Sequence, residues 1–262
     1  MSPLKHFKEL NIFRELLFAL TLREIKVRYK ETIFGVGWAI IQPLSLMIVF
    51  TIIFSIFLKV ETDGIPYPLF AYSGLLPWTF FTTSFSLGAL SVINNGNLVT
   101  KVYFPREILP LSHLGAALVD FLIATLIFIV LIFIYKIPIT INFLLVIPLI
   151  GLLVLFTAAI VMFFSTLVVL WRDIKFIIPL LVQVWIFATP VIYPASKVPD
   201  KIRVFYTLDP IVPIINGFRS VTVLGKPPEI HEIATAIIVS TIFFIVSYLF
   251  FKSKERIFAD II

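Results

Sequence analysis

Asp120 is the only carboxylate in an apolar stretch from 108 to 135, where His113 is the only other ionisable group short of Tyr135. A charge at membrane depth is expensive and often functional. Asp120 is therefore either a proton or ion site or a carboxyl bonded inside a helix bundle, and no partner base is identifiable from the sequence. A second chemistry-bearing stretch, KVYFPREILP at 101–110, packs Lys101, Tyr103, Phe104, Arg106 and Glu107 between Pro105, Pro110 and the turn signal NNGN at 94–97. Such a mixed-charge hinge either anchors in lipid headgroups or docks a protein. Catalytic motifs are missing. The Gly225-Lys226 pair has Ser220 where a P-loop requires its first glycine, so the chain carries no nucleotide-binding loop. His6, His113 and His231 have no metal spacing, and no cysteine is available for a disulfide or a thiolate metal site.

The elements that hold these residues are set by composition. Hydrophobic residues make up 60% of the chain and charged ones 14%, with a mean hydropathy of +1.08. A soluble domain carries roughly 25% charged residues, so this chain has too little polar surface to face water all round. Uncharged runs at 32–58, 64–100, 137–171, 176–196 and 233–251, with 108–135, each hold a span of about 20 residues. In lipid such spans are helices, because the backbone must satisfy itself. The expectation is an all-α integral membrane protein of six transmembrane helices, near 33–58, 69–93, 108–135, 143–171, 175–193 and 232–251. Residues 1–31 are expected to form an N-terminal amphipathic interface helix, since Phe13, Leu16, Leu17 and Leu20 fall at helical spacing among charges. Lys and Arg divide fourteen to seven between alternate sides, which places both termini in the cytoplasm. The net charge of +6 then suits anionic lipid, and no basic stripe with stacking aromatics suggests nucleic acid.

Between spans 5 and 6 the chain is broken. Seven prolines fall between 190 and 228, and the apolar run 211–224 is too short to cross. Short re-entrant helices at 194–228, lining an extracytoplasmic gate of Asp209, Pro210 and Arg219, compete with an ordinary structured loop. Asp209 before Pro210 suits an N-cap followed by proline at N1. Aromatic residues form 15% of the chain. Trp38, Phe50, Phe54, Phe57, Trp185, Phe187 and Tyr193 either line a path for sugar rings or serve as lipid contacts and interfacial belts.

Four blocks carry a family resemblance over nearly the whole length: LREIKVRYKETIFGVGWAIIQPL at 22–44, KVYFPREILPL at 101–111, LWRDIKFIIPLL at 170–181 and LDPIVPIINGFRSV at 208–221. The chain resembles the membrane subunit of an ATP-binding-cassette exporter of polysaccharides, the O-antigen, teichoic-acid and capsule permease group. It departs from the family in having Asp209 where Asn is common. The resemblance implies a homodimeric channel in a bacterial inner membrane, itself no enzyme, with ATP and Mg held by a separate ATPase subunit. It implies export of a polyprenyl-pyrophosphate-linked polysaccharide, with coupling to the ATPase through Lys101, Tyr103, Phe104, Arg106 and Glu107 beside Arg172 and Asp173. Arg28, Lys30 and Arg172 are the candidates for the pyrophosphate. A drug or amphiphile exporter of the same superfamily and an ion-coupled transporter using Asp120 are the alternatives. A membrane-embedded lipid-modifying enzyme fits less well, for want of an acid/base or metal set.

Overall fold

A computed structural model describes residues 13–262; the first twelve residues of the expected interface segment, with His6, Lys5 and Lys8, lie outside the described residues. The chain is an all-α membrane protein. Among the described residues, four helical stretches are long and apolar enough to cross a bilayer: Gly35–Phe57, Ile108–Ile134, Ile141–Leu170 and Ile230–Ile261. In chain order the first elements are α1 (Arg14–Tyr29), α2 (Trp38–Phe50, prolonged by a π-helical turn Thr51–Phe57) and α3 (Tyr67–Gly88). The short α4 (Ser91–Asn94) and α5 (Gly96–Lys101) lead to α6 (Ile108–Ile134), α7 (Val146–Leu170) and α8 (Ile174–Trp185). Then come α9 (Asp200–Leu208), α10 (Ile211–Arg219), α11 (Ile230–Lys254) and α12 (Phe258–Ile261).

The centre of the bundle is α3, whose 22 residues are buried on every face from Leu69 to Phe81 except for a half-buried Thr79. Phe81 stacks on Phe156 and meets Trp185 edge-on. Around it, α11 is joined to α7 by Phe163 against Phe243 and Phe250. Helices Tyr67–Gly88 and Ile174–Ala188 stand at the second and fifth of the six expected spans. The fifth expected span, 175–193, is a helix only over Ile174–Ala188. Its 15 residues rise about 22 Å, short of the roughly 30 Å of hydrocarbon. The run 176–196 is uncharged, but Pro190 and Pro194 close its last turn, and Thr189 has extended backbone before them.

Helix α1 packs on α6, with Thr21 against Gly115 and Glu24 facing His113 at 3.5 Å. It is not the one-sided amphipath of the sequence reading. Phe13, Leu16, Leu17 and Leu20 face a second protein core with Phe104, Ile108, Leu109, Phe251 and Phe258. Phe18, Leu22 and Val27 are exposed on the other side. The 194–228 segment holds two short helices. The second is prolonged by a π-helical turn, Ser220–Leu224, which Gly225 ends at φ +65° with the Lys226 amide donating to Ser220 O at 3.0 Å.

Candidate functional site

Chemistry-bearing side chains gather at three places. The first is the hinge after α5. Lys101 and Tyr103 are exposed, Tyr103 to 89%. Phe104 and Glu107 turn inward, which corrects the expectation that all five hinge residues face a partner: Phe104 joins the second core and Glu107 is 1% exposed. Glu107 ends the hinge as the residue before α6, where the chain must turn in against α11. There Lys252 Nζ forms an ion pair with the Glu107 carboxylate and donates to Glu255 Oε2 at 2.9 Å. Glu255 Oε1 accepts the Arg106 backbone N–H at 2.7 Å. Burial pushes the Glu107 carboxyl above the usual range, and Lys252 pulls it back. The hinge is thus tied to the end of the last long helix. Arg172 and Asp173 lie exposed at the turn between α7 and α8. Among the described residues, no hydrogen bond or ion pair joins their side chains to the hinge.

The second place is a cavity of about 150 Å³ where the end of α1 meets α2, α3 and α6. It supplies the partner that the sequence did not reveal for Asp120. Arg28 Nη1 donates to Asp120 Oδ2, and the Tyr29 hydroxyl donates to Oδ1 at 2.6 Å. Arg28 is therefore committed to a carboxylate. Of the three cations expected to meet a pyrophosphate, it alone lines this cavity, with Trp38 and Gln42. Lys30 is exposed beside Glu31 at 3.5 Å, and Arg172 is exposed elsewhere.

The third place is the broken segment. Asp209 has extended backbone before Pro210, its Oδ1 accepts the Ile211 amide at 3.1 Å, and its Oδ2 accepts the Trp185 indole N–H at 2.5 Å. Arg219 does not stand free at a mouth. It is 5% exposed, stacks on Phe70 at 3.6 Å, and donates to Ser73 Oγ, Phe70 O and Pro190 O. It borders a second cavity of about 280 Å³ with Asp63, Asn216 and Glu232. Glu229, His231 and Glu232 bring three ligand atoms within 4.8 Å of one another at the same end, an arrangement in the run EIHE that the sequence reading passed over. The seven aromatics expected along a sugar path occupy different settings. Phe50, Phe54 and Trp185 pack on the main core, and Trp38, Phe57 and Phe187 are exposed. The half-buried Tyr193 donates its hydroxyl to Phe187 O at 2.7 Å.

Substituting Asp209→Ala removes the acceptor for Ile211 and orphans the Trp185 indole. A lost cap costs about 1 kcal/mol and an unsatisfied buried donor about 1–3 kcal/mol. A lowered thermal midpoint with altered Trp fluorescence is expected, and an unchanged midpoint would remove Asp209 from the scaffold.

The comparisons agree with this architecture. The model of the ABC-2 type transporter family matches residues 15–223. The chain is 30% identical over 249 residues to the O-antigen export system permease protein RfbA of Klebsiella pneumoniae, covering 95% of each chain. It is 30% identical over 257 residues to RfbA of Myxococcus xanthus, covering 97% of each. With the polysialic acid transport protein KpsM of Escherichia coli, identity is 25% over 219 residues, 80% of this chain and 82% of that one. A bundle of long apolar helices, a tied hinge at one end and a broken segment at the other, matched over most of its length, place the chain in the ABC-2 type transporter family as a transmembrane subunit.

Proposed function

We propose that this chain is the channel-forming permease of a polysaccharide exporter, moving an O-antigen-like glycan on a polyprenyl pyrophosphate out of the cytoplasm. The observation that carries this reading is the end-to-end similarity to O-antigen export permeases, which leaves no long segment of either chain unmatched. Two copies would form the path. A separate ATPase subunit would bind at the hinge end and supply hydrolysis, since the sequence contains no P-loop. The exposed tip, Lys101 and Tyr103, suits that docking, with Arg172 and Asp173 at a neighbouring turn. Lys30 and Arg172, exposed cations not held in a buried pair, are the groups we assign to the pyrophosphate.

Reconstitution tests it. The purified chain alone should hydrolyse no ATP. Vesicles holding the chain together with a P-loop ATPase encoded beside it should move a lipid-linked glycan when ATP is added. Hydrolysis by the chain alone, or ATP-driven movement of small amphiphiles but not of the glycan, would overturn the reading. Tyr103→Ala should lower transport at least several-fold with the chain still inserted, because an exposed aromatic anchor in an interface commonly contributes 2 kcal/mol or more.

A further inference from the structure

The cavity beside Arg28 and Asp120 has chemistry that the proposed export function does not use. Arg28 reaches Asp120 through Nη1, but its Nη2 is shielded from solvent and has no hydrogen-bond partner. A buried guanidinium N–H without an acceptor is unusual. Asp120 has capacity to spare in the opposite sense. Its two oxygens offer about four acceptor positions, of which Arg28 and the Tyr29 hydroxyl take two. Gln42 and Thr83 line the same cavity, and neither side chain has a partner in the described residues. The rim is apolar: Trp38, which lines the cavity, is exposed and meets the exposed Phe34 edge-on at 5.5 Å. On a membrane protein such a rim meets lipid, and tryptophan favours the headgroup level.

The charges select the ligand. Arg28 and Asp120 sum to zero, so a simple anion gains the guanidinium but is repelled by the carboxylate beside it, and a simple cation meets the reverse. A zwitterion satisfies both. We propose that this cavity binds the headgroup of an ethanolamine phospholipid, with a phosphate oxygen on Arg28 Nη2 and the primary ammonium on the open positions of Asp120. The acyl chains lie along the apolar rim. A primary ammonium brings three N–H donors, whereas a quaternary choline nitrogen brings none and leaves the Asp120 positions unfilled. The room is also small: about 150 Å³ holds about five waters at ~30 Å³ each. The inference stands apart from the identity of the exported substrate, since it concerns a resident lipid held between α1 and three helices of the bundle.

The test uses the full chain in nanodiscs of phosphatidylethanolamine, phosphatidylcholine or phosphatidylglycerol, and in equal mixtures of the three. Retained lipid is read by native mass spectrometry after transfer to detergent. From mixed discs the chain should retain phosphatidylethanolamine over phosphatidylcholine by at least about tenfold, the worth of a charged hydrogen bond. The thermal midpoint should be highest in discs of phosphatidylethanolamine. Asp120→Asn should erase the preference for ethanolamine over choline, and Arg28→Gln should lose retention of both. Because Arg28→Gln can loosen α1, Gln42→Met at the exposed lip is a second variant. It should lower retention several-fold with the midpoint in lipid-free detergent unchanged. Equal retention of ethanolamine and choline lipids by the unsubstituted chain, a preference for phosphatidylglycerol, or an ethanolamine preference that survives Asp120→Asn would each overturn the assignment.

Discussion

Replacing Lys252 by Met is expected to destabilise the protein by about 3–5 kcal/mol, the usual cost of stranding one partner of a buried ion pair. Glu107 is 1% exposed and lies with Glu255 around the single ammonium of Lys252. Without that ammonium, two carboxylates share a dry site. Glu107 then has one way to avoid the penalty, which is to take up a proton. Burial already raises its pKa above the ordinary 4.5, and the loss of Lys252 raises it further. A carboxyl whose folded pKa is raised contributes stability that is fully present below its unfolded pKa and lost as pH rises through the folded one. The deficit of Lys252→Met should therefore be small near about pH 5 and large near about pH 8, the range above the carboxylate reference value. Thermal midpoints in detergent at the two pH values measure this. The double variant Lys252→Met with Glu107→Leu should recover most of the loss, because removing both charges of a buried pair is often close to neutral. A Lys252→Met deficit that is pH-independent, or absent, would mean that the hinge is not held by this pair. Under the function proposed above, the same variant should uncouple the partner's hydrolysis from transport, since the hinge would no longer be fixed to α11.

How far the sequence disclosed this arrangement depends on the range of the interaction. Apolar runs, prolines and turn signals are local, so the long helices, the hinge and the broken 194–228 segment are legible in it. Burial within the bundle is not local. Helix α3 contains Ser, Thr, Tyr and two prolines, and it is absent from the helices apolar enough to cross by composition, yet it is the central helix. Hydropathy measures transfer to lipid, whereas position in a bundle is set by which neighbours can pack closely. The pairs that organise the candidate sites are equally remote in sequence. Arg28 lies 92 residues from Asp120, and the Arg106 amide 149 residues from Glu255. Glu107 belongs by sequence to a mixed-charge hinge, and nothing local marks the distant Lys252 as its partner. Where the fifth helix ends has a related cause. The absence of charge defines an apolar run, but prolines within it decide where the helix stops.

The other large effect is expected at Arg219, which ties three separate segments together without a carboxylate partner among the described residues. Its Nε donates to Ser73 Oγ at 3.2 Å, and its Nη2 donates to Phe70 O at 3.2 Å and to Pro190 O at 2.8 Å. The planar guanidinium lies over the Phe70 ring, a desolvated contact worth up to about 2 kcal/mol. Gly74 makes room for it: a Cβ there would sit 2.8 Å from Arg219 Nη2 and 3.1 Å from Val191 Cα. Arg219→Met keeps apolar volume but takes the donor from Pro190 O, at about 1–3 kcal/mol for an unsatisfied buried acceptor, whereas Phe70 O keeps the Ser73 hydroxyl. Arg219→Lys keeps the charge but not the planar fork or the stack, so it should not rescue. Gly74→Ala should act on the same joint from the opposite side, since neither the Val191 backbone nor the held guanidinium can yield freely; overpacking of this kind costs about 1–3 kcal/mol. A chain with no native cysteine allows a direct readout. In the unsubstituted background Val212→Cys and Ile215→Cys, both fully buried, should resist a water-soluble maleimide, and Asn216→Cys, half-buried on the larger cavity, should react. Adding Arg219→Met or Gly74→Ala should make Cys at 212 and 215 react at least several-fold faster, by freeing α10 from α3 and from the 190 turn. If 212 and 215 stay protected in both backgrounds, α10 is held by its apolar face alone and Arg219 is not the staple of this end of the protein.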